Sequence, residues 1–126
     1  MDFDFYPCGV DEKKPLLYLW QIEDAQGGVL YRYVGKANGG SKRPLTQYLR
    51  NVRNLQAGKP YRKGKPDAFR EVHRKLADAA VRGYRLSLHL LENVAQIESI
   101  YDVESSAQRQ YCTPPYCDLP ANRSAK

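Results

Sequence analysis

A glutamate lies inside an apolar stripe of the last predicted helix, where a charged side chain is unusual. Helical spacing places five residues on one face, with Tyr101 beside them: Ile97, Ile100, Glu104, Ala107 and Tyr111. A carboxylate that faces inward costs free energy unless it is paired, hydrogen-bonded or bound to a metal. The alternative is a glutamate at the edge of the stripe whose carboxylate reaches water. Glu104 is therefore a candidate site residue if other reactive groups lie near it.

Two tyrosines and a lysine are expected at one end of a hairpin. Residues 16–22 and 31–35 are rich in aromatic and β-branched residues, which favours strands, and residues 27–28 are glycines that suit a hairpin loop. Lys36 follows the second strand. Alternation puts Tyr18, Trp20 and Ile22 on one face of the first strand, and Tyr31 and Tyr33 on one face of the second. The hairpin thus places phenols beside a cation.

Positive charge is concentrated in the middle of the chain. The 126 residues carry a net charge of +6, but residues 32–85 hold 15 Lys/Arg and 3 Asp/Glu, a net +12. Such a segment can bind a polyanion by neutralising phosphates and releasing counterions, although a solvated basic surface is the alternative. Tyr61 is available to stack on a base. The cations expected to contact nucleic acid are Lys42, Arg50, Lys59, Arg62, Lys63 and Lys65.

Two helices are expected between the hairpin and the next strand. Pro44 suits the first turn of the first helix, which Gly58 ends. Asp67 is the expected N-cap of the second helix, and Gly83 is its expected end. His73 lies off the apolar stripe of this helix. A lone histidine is usually structural or solvated, and an active-site role is the less frequent alternative.

Alternation over residues 84–92 predicts a third strand. The order β-β-α-α-β-α then predicts an α/β (α+β) fold, in which a small, largely antiparallel sheet of three strands is flanked by three helices. We expect residues 15–120 to form this one domain. Residues 1–14 are expected to be a lead-in that is partly ordered at best, and residues 121–126 a tail.

Composition excludes several classes of protein. No apolar run approaches the roughly 20 residues that a membrane span needs, and the acidic N-terminus is unlike a secretory signal, so no membrane partner is expected. Cys8, Cys112 and Cys117 are odd in number and lack the spacing of metal ligands. They indicate free thiols in a reducing, cytoplasmic compartment.

Two short motifs in the hairpin resemble the pair that names the GIY-YIG nuclease family. These are Tyr18-Leu19-Trp20 and Tyr33-Val34-Gly35-Lys36-Ala37, with Leu16 where the first motif usually has glycine. The family also has an arginine ten residues past the second tyrosine, where Arg43 stands. It has a glutamate on the helix after the third strand, where Glu104 stands. The resemblance covers about residues 15–120.

The chain departs from the family pattern in other places. In the family, a proline, an aromatic residue and an asparagine follow the last helix. Here Pro114-Pro115-Tyr116 supplies the first two, but Cys117 stands in place of the asparagine, whose role either moves to Asn122 or is lost. The assisting side chain one turn past the arginine would be Gln47 or its neighbour Tyr48. A first strand shifted by two residues would put Trp20 in the tyrosine's place, and an indole cannot act as a base.

The resemblance implies a metal-dependent endonuclease that hydrolyses DNA phosphodiester bonds with one divalent cation, Mg²⁺ or Mn²⁺. Glu104 would be the metal ligand, Arg43 would grip the phosphate in a fork, and Tyr18 would act as the base. Tyr33 and Lys36 would orient the water or offset charge. Two alternatives stay open: a nucleic-acid-binding module that has lost catalysis, and a protein-interaction domain. Target selection by DNA structure, by a partner protein or by a homodimer also stays open, because no recognition unit is appended to the core.

Overall fold

A computed structural model describes residues 2–61, 64, 69–95 and 99–111. The elements in this part of the chain are β1 (Asp4–Tyr6), β2 (Leu16–Glu23), β3 (Val29–Ala37), α1 (Tyr48–Gln56), α2 (Glu71–Arg82), β4 (Arg85–Asn93) and α3 (Ile100–Tyr111), with a π-helical turn (Arg43–Gln47) leading into α1. The mixed α/β class is confirmed. The predictions made for Arg62, Lys63, Lys65, Asp67, Ile97, Cys112, Cys117 and Asn122 fall outside the described residues.

The described sheet has four strands rather than the three predicted, in the order β1-β4-β2-β3. Strand β2 is antiparallel to both β3 and β4, whereas β1 is parallel to β4. The added strand, β1, lies in the lead-in that was expected to be partly ordered at best. Its three residues are too short for an alternation signal, and Asp4, Phe5 and Tyr6 pair with Ser87, Leu88 and His89 far along the chain. The prediction of three strands was wrong because the pairing that forms β1 is entirely non-local.

The helices cover the two faces of the sheet unequally. Alternation along β2 sends Tyr18 and Trp20 to the face that α1 and α2 cover, and Leu17 and Leu19 to the face that α3 covers. The alternation predicted for this hairpin is confirmed, because Tyr31 shares the first face. Among the described helices, none has the length and apolar content needed to cross a membrane.

The ends of the helices follow the local signals only in part. A helical turn does begin at Arg43, as predicted, and Gly83 ends α2 in a left-handed conformation with φ of 75°. However, α2 begins at Glu71 with Arg70 as its N-cap, a few residues later than the predicted start. Arg70 has an extended backbone, and its N–H donates to His73 Nδ1 at 3.1 Å, which caps the first turn from within the helix.

Candidate active site

Tyr18 lies over a glycine of the neighbouring strand. Tyr18 and Gly35 are partners in the β2–β3 ladder, and a Cβ built on Gly35 would come within 2.5 Å of both Cζ and Oη of the Tyr18 ring. Only a residue without a side chain leaves room for the ring at this position. Trp20 is instead the partner of Tyr33, further from the end of the hairpin that carries Lys36.

A second phenol from α1 joins Tyr18 in the core. Tyr48 begins α1, and its hydroxyl lies 2.8 Å from the Tyr18 hydroxyl, with the two rings edge to face. Both side chains are almost fully buried. Tyr33 lies on the same face of the sheet at its margin. We call Tyr18, Tyr33 and Tyr48 the phenol cluster.

Two arginines reach the phenol cluster from different elements. Arg43, the first residue of the π-helical turn, lies close enough to Tyr18 and Tyr48 to interact with them electrostatically. Arg70, the N-cap of α2, donates to the hydroxyl of Tyr33 and lies 3.5 Å from that of Tyr48. Arg70 was not among the predicted site residues. The only local signal was its place at a helix start, and that start had been predicted too early.

The phenols are protonated at neutral pH in the protein alone. Burial is the largest cause that raises the pKa of Tyr18 to about 12, and the Tyr48 hydrogen bond and the two arginines lower it only in part. Burial likewise raises the pKa of Tyr33 and of Tyr48 above their usual range. We had expected a nearby cation to ease the loss of the Tyr18 proton. That expectation fails for the protein alone, because desolvation of the phenolate outweighs the arginine charges.

The predicted carboxylate lies on the other face of the sheet, inside the apolar surface of α3. Glu104 is partly buried between Ile100 and Ala107, as its spacing indicated, and its Oε1 lies 3.3 Å from Lys36 Nζ. The two side chains are only 13% and 27% exposed. The negative charge of Glu104 still contributes to raising the pKa of Tyr33. The phenol cluster and the ion pair are therefore coupled around the outer edge of β3.

His73 is buried, although sequence analysis placed it off the apolar stripe. It is 1% exposed, and the rings of Tyr48, Tyr61 and Phe69 surround it. Because its Nδ1 accepts the backbone N–H of Arg70, its proton belongs on Nε2, and the neighbouring Asn51 amide can accept that proton's hydrogen bond only with its oxygen turned towards the ring. Burial, followed by the charges of nearby arginines, lowers the pKa of His73 to about 4. A neutral His73 thus has a structural role, which was the more frequent of the two expectations.

An open cleft of about 370 Å³ lies between β3 and the π-helical turn. Three cations line it, namely Lys36, Lys42 and Arg43, together with Gln47 and the loop of residues 37–40. Gln47 therefore lies beside the arginine at the cleft, whereas its neighbour Tyr48 points into the core. A cleft with this lining suits an anionic ligand.

The N-terminal segment holds the loop that precedes Arg43. The backbone N–H of Ser41 donates to the Glu12 carbonyl at 2.9 Å, and Ser41 Oγ donates to Glu12 Oε1 at 2.9 Å. Gly40 adopts φ of +94°, and a Cβ there would be 2.2 Å from the Glu12 carbonyl oxygen. Residues from the expected lead-in thus fix the geometry of the cleft.

The cations predicted to contact nucleic acid are only partly described. Lys42, Arg50 and Lys59 are exposed, as such a role requires. Tyr61 packs edge-on against Phe69 with ring centroids 5.3 Å apart, so its ring is partly covered rather than fully available for stacking.

Within the described chain, no group of three or more His, Cys, Asp or Glu side chains is arranged to hold a metal. Among the described residues, the carboxylate predicted as the metal ligand is that of Glu104, at the outer edge of β3. Mg²⁺ binds such oxygens and usually keeps several waters, so a site with one protein ligand fits this donor set.

Comparisons with protein-family models, with curated proteins and with solved structures gave no match. A function for this chain is therefore inferred from its residues and their geometry.

Proposed function

We propose that this protein is a metal-dependent endonuclease that hydrolyses DNA phosphodiester bonds at the outer edge of β3. The support is that the five residues to which the motif resemblance assigns roles lie close enough to one another to interact. Arg43 and Tyr18 interact electrostatically, as do Tyr18 with Tyr33 and Tyr33 with Glu104, and Glu104 forms an ion pair with Lys36.

The cleft would receive the phosphate group that is cut. Arg43 would bind two phosphate oxygens in a fork, which a lysine cannot do. Lys36 and Lys42 line the same cleft and would neutralise part of the charge that develops in the transition state. Exposed Arg50 and Lys59 would bind phosphates further along the DNA.

Glu104 would hold the Mg²⁺ or Mn²⁺ ion through a carboxylate oxygen. When bound, such an ion supplies charge stabilisation and an acidified water. Lys36 now neutralises this carboxylate at 3.3 Å, longer than a tight charge-assisted bond. Lys36 would release Glu104 and turn towards the cleft that it already lines.

The phenols would act first as hydrogen-bond donors, because burial keeps them protonated. Tyr33 and Tyr48 would orient groups at the reaction centre. Tyr18 would accept the proton of the attacking water only where its pKa of about 12 is brought down. Tyr18 is thus the residue whose environment must change most for the reaction to proceed.

Nicking of supercoiled plasmid DNA tests this proposal. With Mg²⁺, Glu104→Gln and Arg43→Ala should each lower the rate by about 100-fold or more, as removal of a transition-state contact does. Asp102→Asn, on an exposed residue of α3, and Arg82→Ala, on an exposed residue of α2, are the matched controls. Full activity of Glu104→Gln, or wild-type nicking that EDTA does not stop, would refute the proposal.

A DNA-binding module without catalysis is the second candidate. It is favoured by the engagement of Glu104 with Lys36 and by the raised pKa values of the phenols. Retention of DNA in a gel, with no cleavage at any Mg²⁺ or Mn²⁺ concentration, would support this module over the enzyme.

A further inference from the structure

We propose that Arg70 is a second phosphate-binding arginine, which with Arg43 forms a two-guanidinium site for one phosphate group of a nucleic-acid backbone. This inference rests on the proposed function in one respect, that the substrate is a nucleic acid. The candidate residues of the sequence analysis did not include Arg70.

The phenol cluster links the two guanidinium groups. Arg43 interacts electrostatically with Tyr18 and Tyr48, Tyr18 lies 2.8 Å from Tyr48, and Tyr48 lies 3.5 Å from Arg70 Nη1. The other terminal nitrogen of Arg70, Nη2, donates to the Tyr33 hydroxyl, and the guanidinium carbon lies 5.4 Å from the centroid of the Tyr33 ring. The two positive groups thus stand on one continuous row of hydroxyls.

The charges of this row are not balanced. Arg43 and Arg70 repel each other, and the groups that act most on Arg70, apart from its own burial, are the three phenols. Protonated phenols carry no charge. Two forked cations beside hydroxyl donors suit a ligand that only accepts hydrogen bonds and carries negative charge. A phosphodiester has these properties, and the basic segment of the chain favours nucleic acid as its source.

The backbone of Arg70 is fixed while its side chain remains accessible. His73 Nδ1 accepts the backbone N–H of Arg70 at 3.1 Å, and His73 is itself buried against Tyr48 and Asn51. Arg70 as a whole is exposed. An arginine whose backbone is fixed in this way and whose surface is partly exposed can contact a phosphate without a large loss of conformational entropy.

The competing explanation is that Arg70 only locks α2 onto the phenol cluster. A purely structural arginine would change the stability of the protein, but it would not change the number of phosphates that are neutralised on binding. The dependence of DNA affinity on salt separates the two explanations, because each lost phosphate contact lowers the slope of log K against log salt by about 1.

The experiment measures binding of a fluorescent DNA duplex in EDTA across a series of salt concentrations. Arg70→Gln should bind more weakly and lower the salt slope by about 1 relative to wild type. Arg70→Lys keeps one charge but loses the fork, so it should retain the slope and bind about tenfold more weakly. Arg82→Gln is the matched control, with the same loss of charge on an exposed residue at the far end of α2.

Thermal unfolding of each variant shows that it is folded under the binding conditions, and Arg70→Lys carries the test if Arg70→Gln does not fold. A salt slope for Arg70→Gln equal to that of wild type, or wild-type affinity for Arg70→Lys, would overturn the assignment of Arg70.

Plasmid nicking in Mg²⁺ distinguishes this failure from failure of the proposed function. If the salt slope depends on Arg70 but the wild-type protein does not nick plasmid DNA, the phosphate-binding role of Arg70 is supported and the endonuclease proposal is refuted. If the wild-type protein nicks plasmid DNA but Arg70→Gln has unchanged affinity and salt slope, the endonuclease proposal is supported and the phosphate-binding role of Arg70 is refuted.

Discussion

Gly35→Ala tests the contact on which the geometry of the candidate site depends. A Cβ on Gly35 would lie 2.5 Å from Cζ and Oη of Tyr18, far inside the 3.5–4.0 Å at which carbon atoms normally pack. The Tyr18 ring is fully buried and cannot swing into solvent. The ring must therefore shift by about 1 Å, or the β2–β3 ladder must open.

The net change in the free energy of unfolding combines two destabilising contributions and one stabilising contribution. Overpacking of a core typically costs about 1–3 kcal/mol, and loss of the Tyr18–Tyr48 hydrogen bond costs about 1 kcal/mol. Replacing glycine by alanine also restricts the unfolded chain, which stabilises by about 0.4–1 kcal/mol. We expect Gly35→Ala to lower the free energy of unfolding by about 2 kcal/mol. For a domain of this size that corresponds to a fall in Tm of about 8 °C.

The control is Gly39→Ala, four residues further along the chain. A Cβ there meets nothing within 4 Å, and its backbone is not in the left-handed region. We expect this variant to unfold within about 1 kcal/mol of wild type. Chemical denaturation followed by circular dichroism measures both variants under the same conditions.

A double-mutant cycle identifies the cause. Tyr18→Leu removes the distal ring atoms that the new Cβ would meet, so Gly35→Ala should cost little in that background. If Gly35→Ala costs the same with leucine as with tyrosine at position 18, the ring contact is not the reason for glycine at position 35.

Three further predictions concern the residues around the phenol cluster. His73 binds a proton near pH 6.5 in the unfolded chain but only near pH 4 in the fold, so stability present above pH 6.5 should fall towards pH 4 by about 3 kcal/mol. His73→Gln keeps an acceptor for the helix start. Urea denaturation at a series of pH values gives the free energy of unfolding of each protein. If this free energy falls with pH as steeply in His73→Gln as in wild type, His73 is not the cause. Ser41→Ala removes the hydrogen-bond donor to Glu12 and should lower both the free energy of unfolding and the affinity for DNA. Thr46→Ala, on an exposed residue, should change neither. If the two variants have equal stabilities and equal affinities, a role for the N-terminal segment is contradicted. Tyr48→Phe should lower the free energy of unfolding, measured by heat or urea, by about 1 kcal/mol, whereas Tyr101→Phe, on an exposed residue, should lower it by almost nothing. The reverse order would contradict a stabilising hydrogen bond between Tyr18 and Tyr48.

Local patterns were sufficient for much of the fold. Alternation placed Tyr18 and Tyr31 on one face of the hairpin, and Gly83 marked the end of α2. Helical spacing placed Glu104 inside the apolar surface of α3. These features depend on neighbours within about four residues, so the necessary information lies in short stretches of sequence.

Tertiary structure decided the remaining features. Strand β1 exists through pairing with a strand some 80 residues away, and Arg70 joins the phenol cluster only because α2 packs beside α1. The raised pKa values of the phenols and the lowered pKa of His73 come from burial by several elements together. The sequence by itself thus determined the faces of the strands and helices. Which reactive groups share one site, and in which protonation state, depended on desolvation and charge between segments that are distant in the chain.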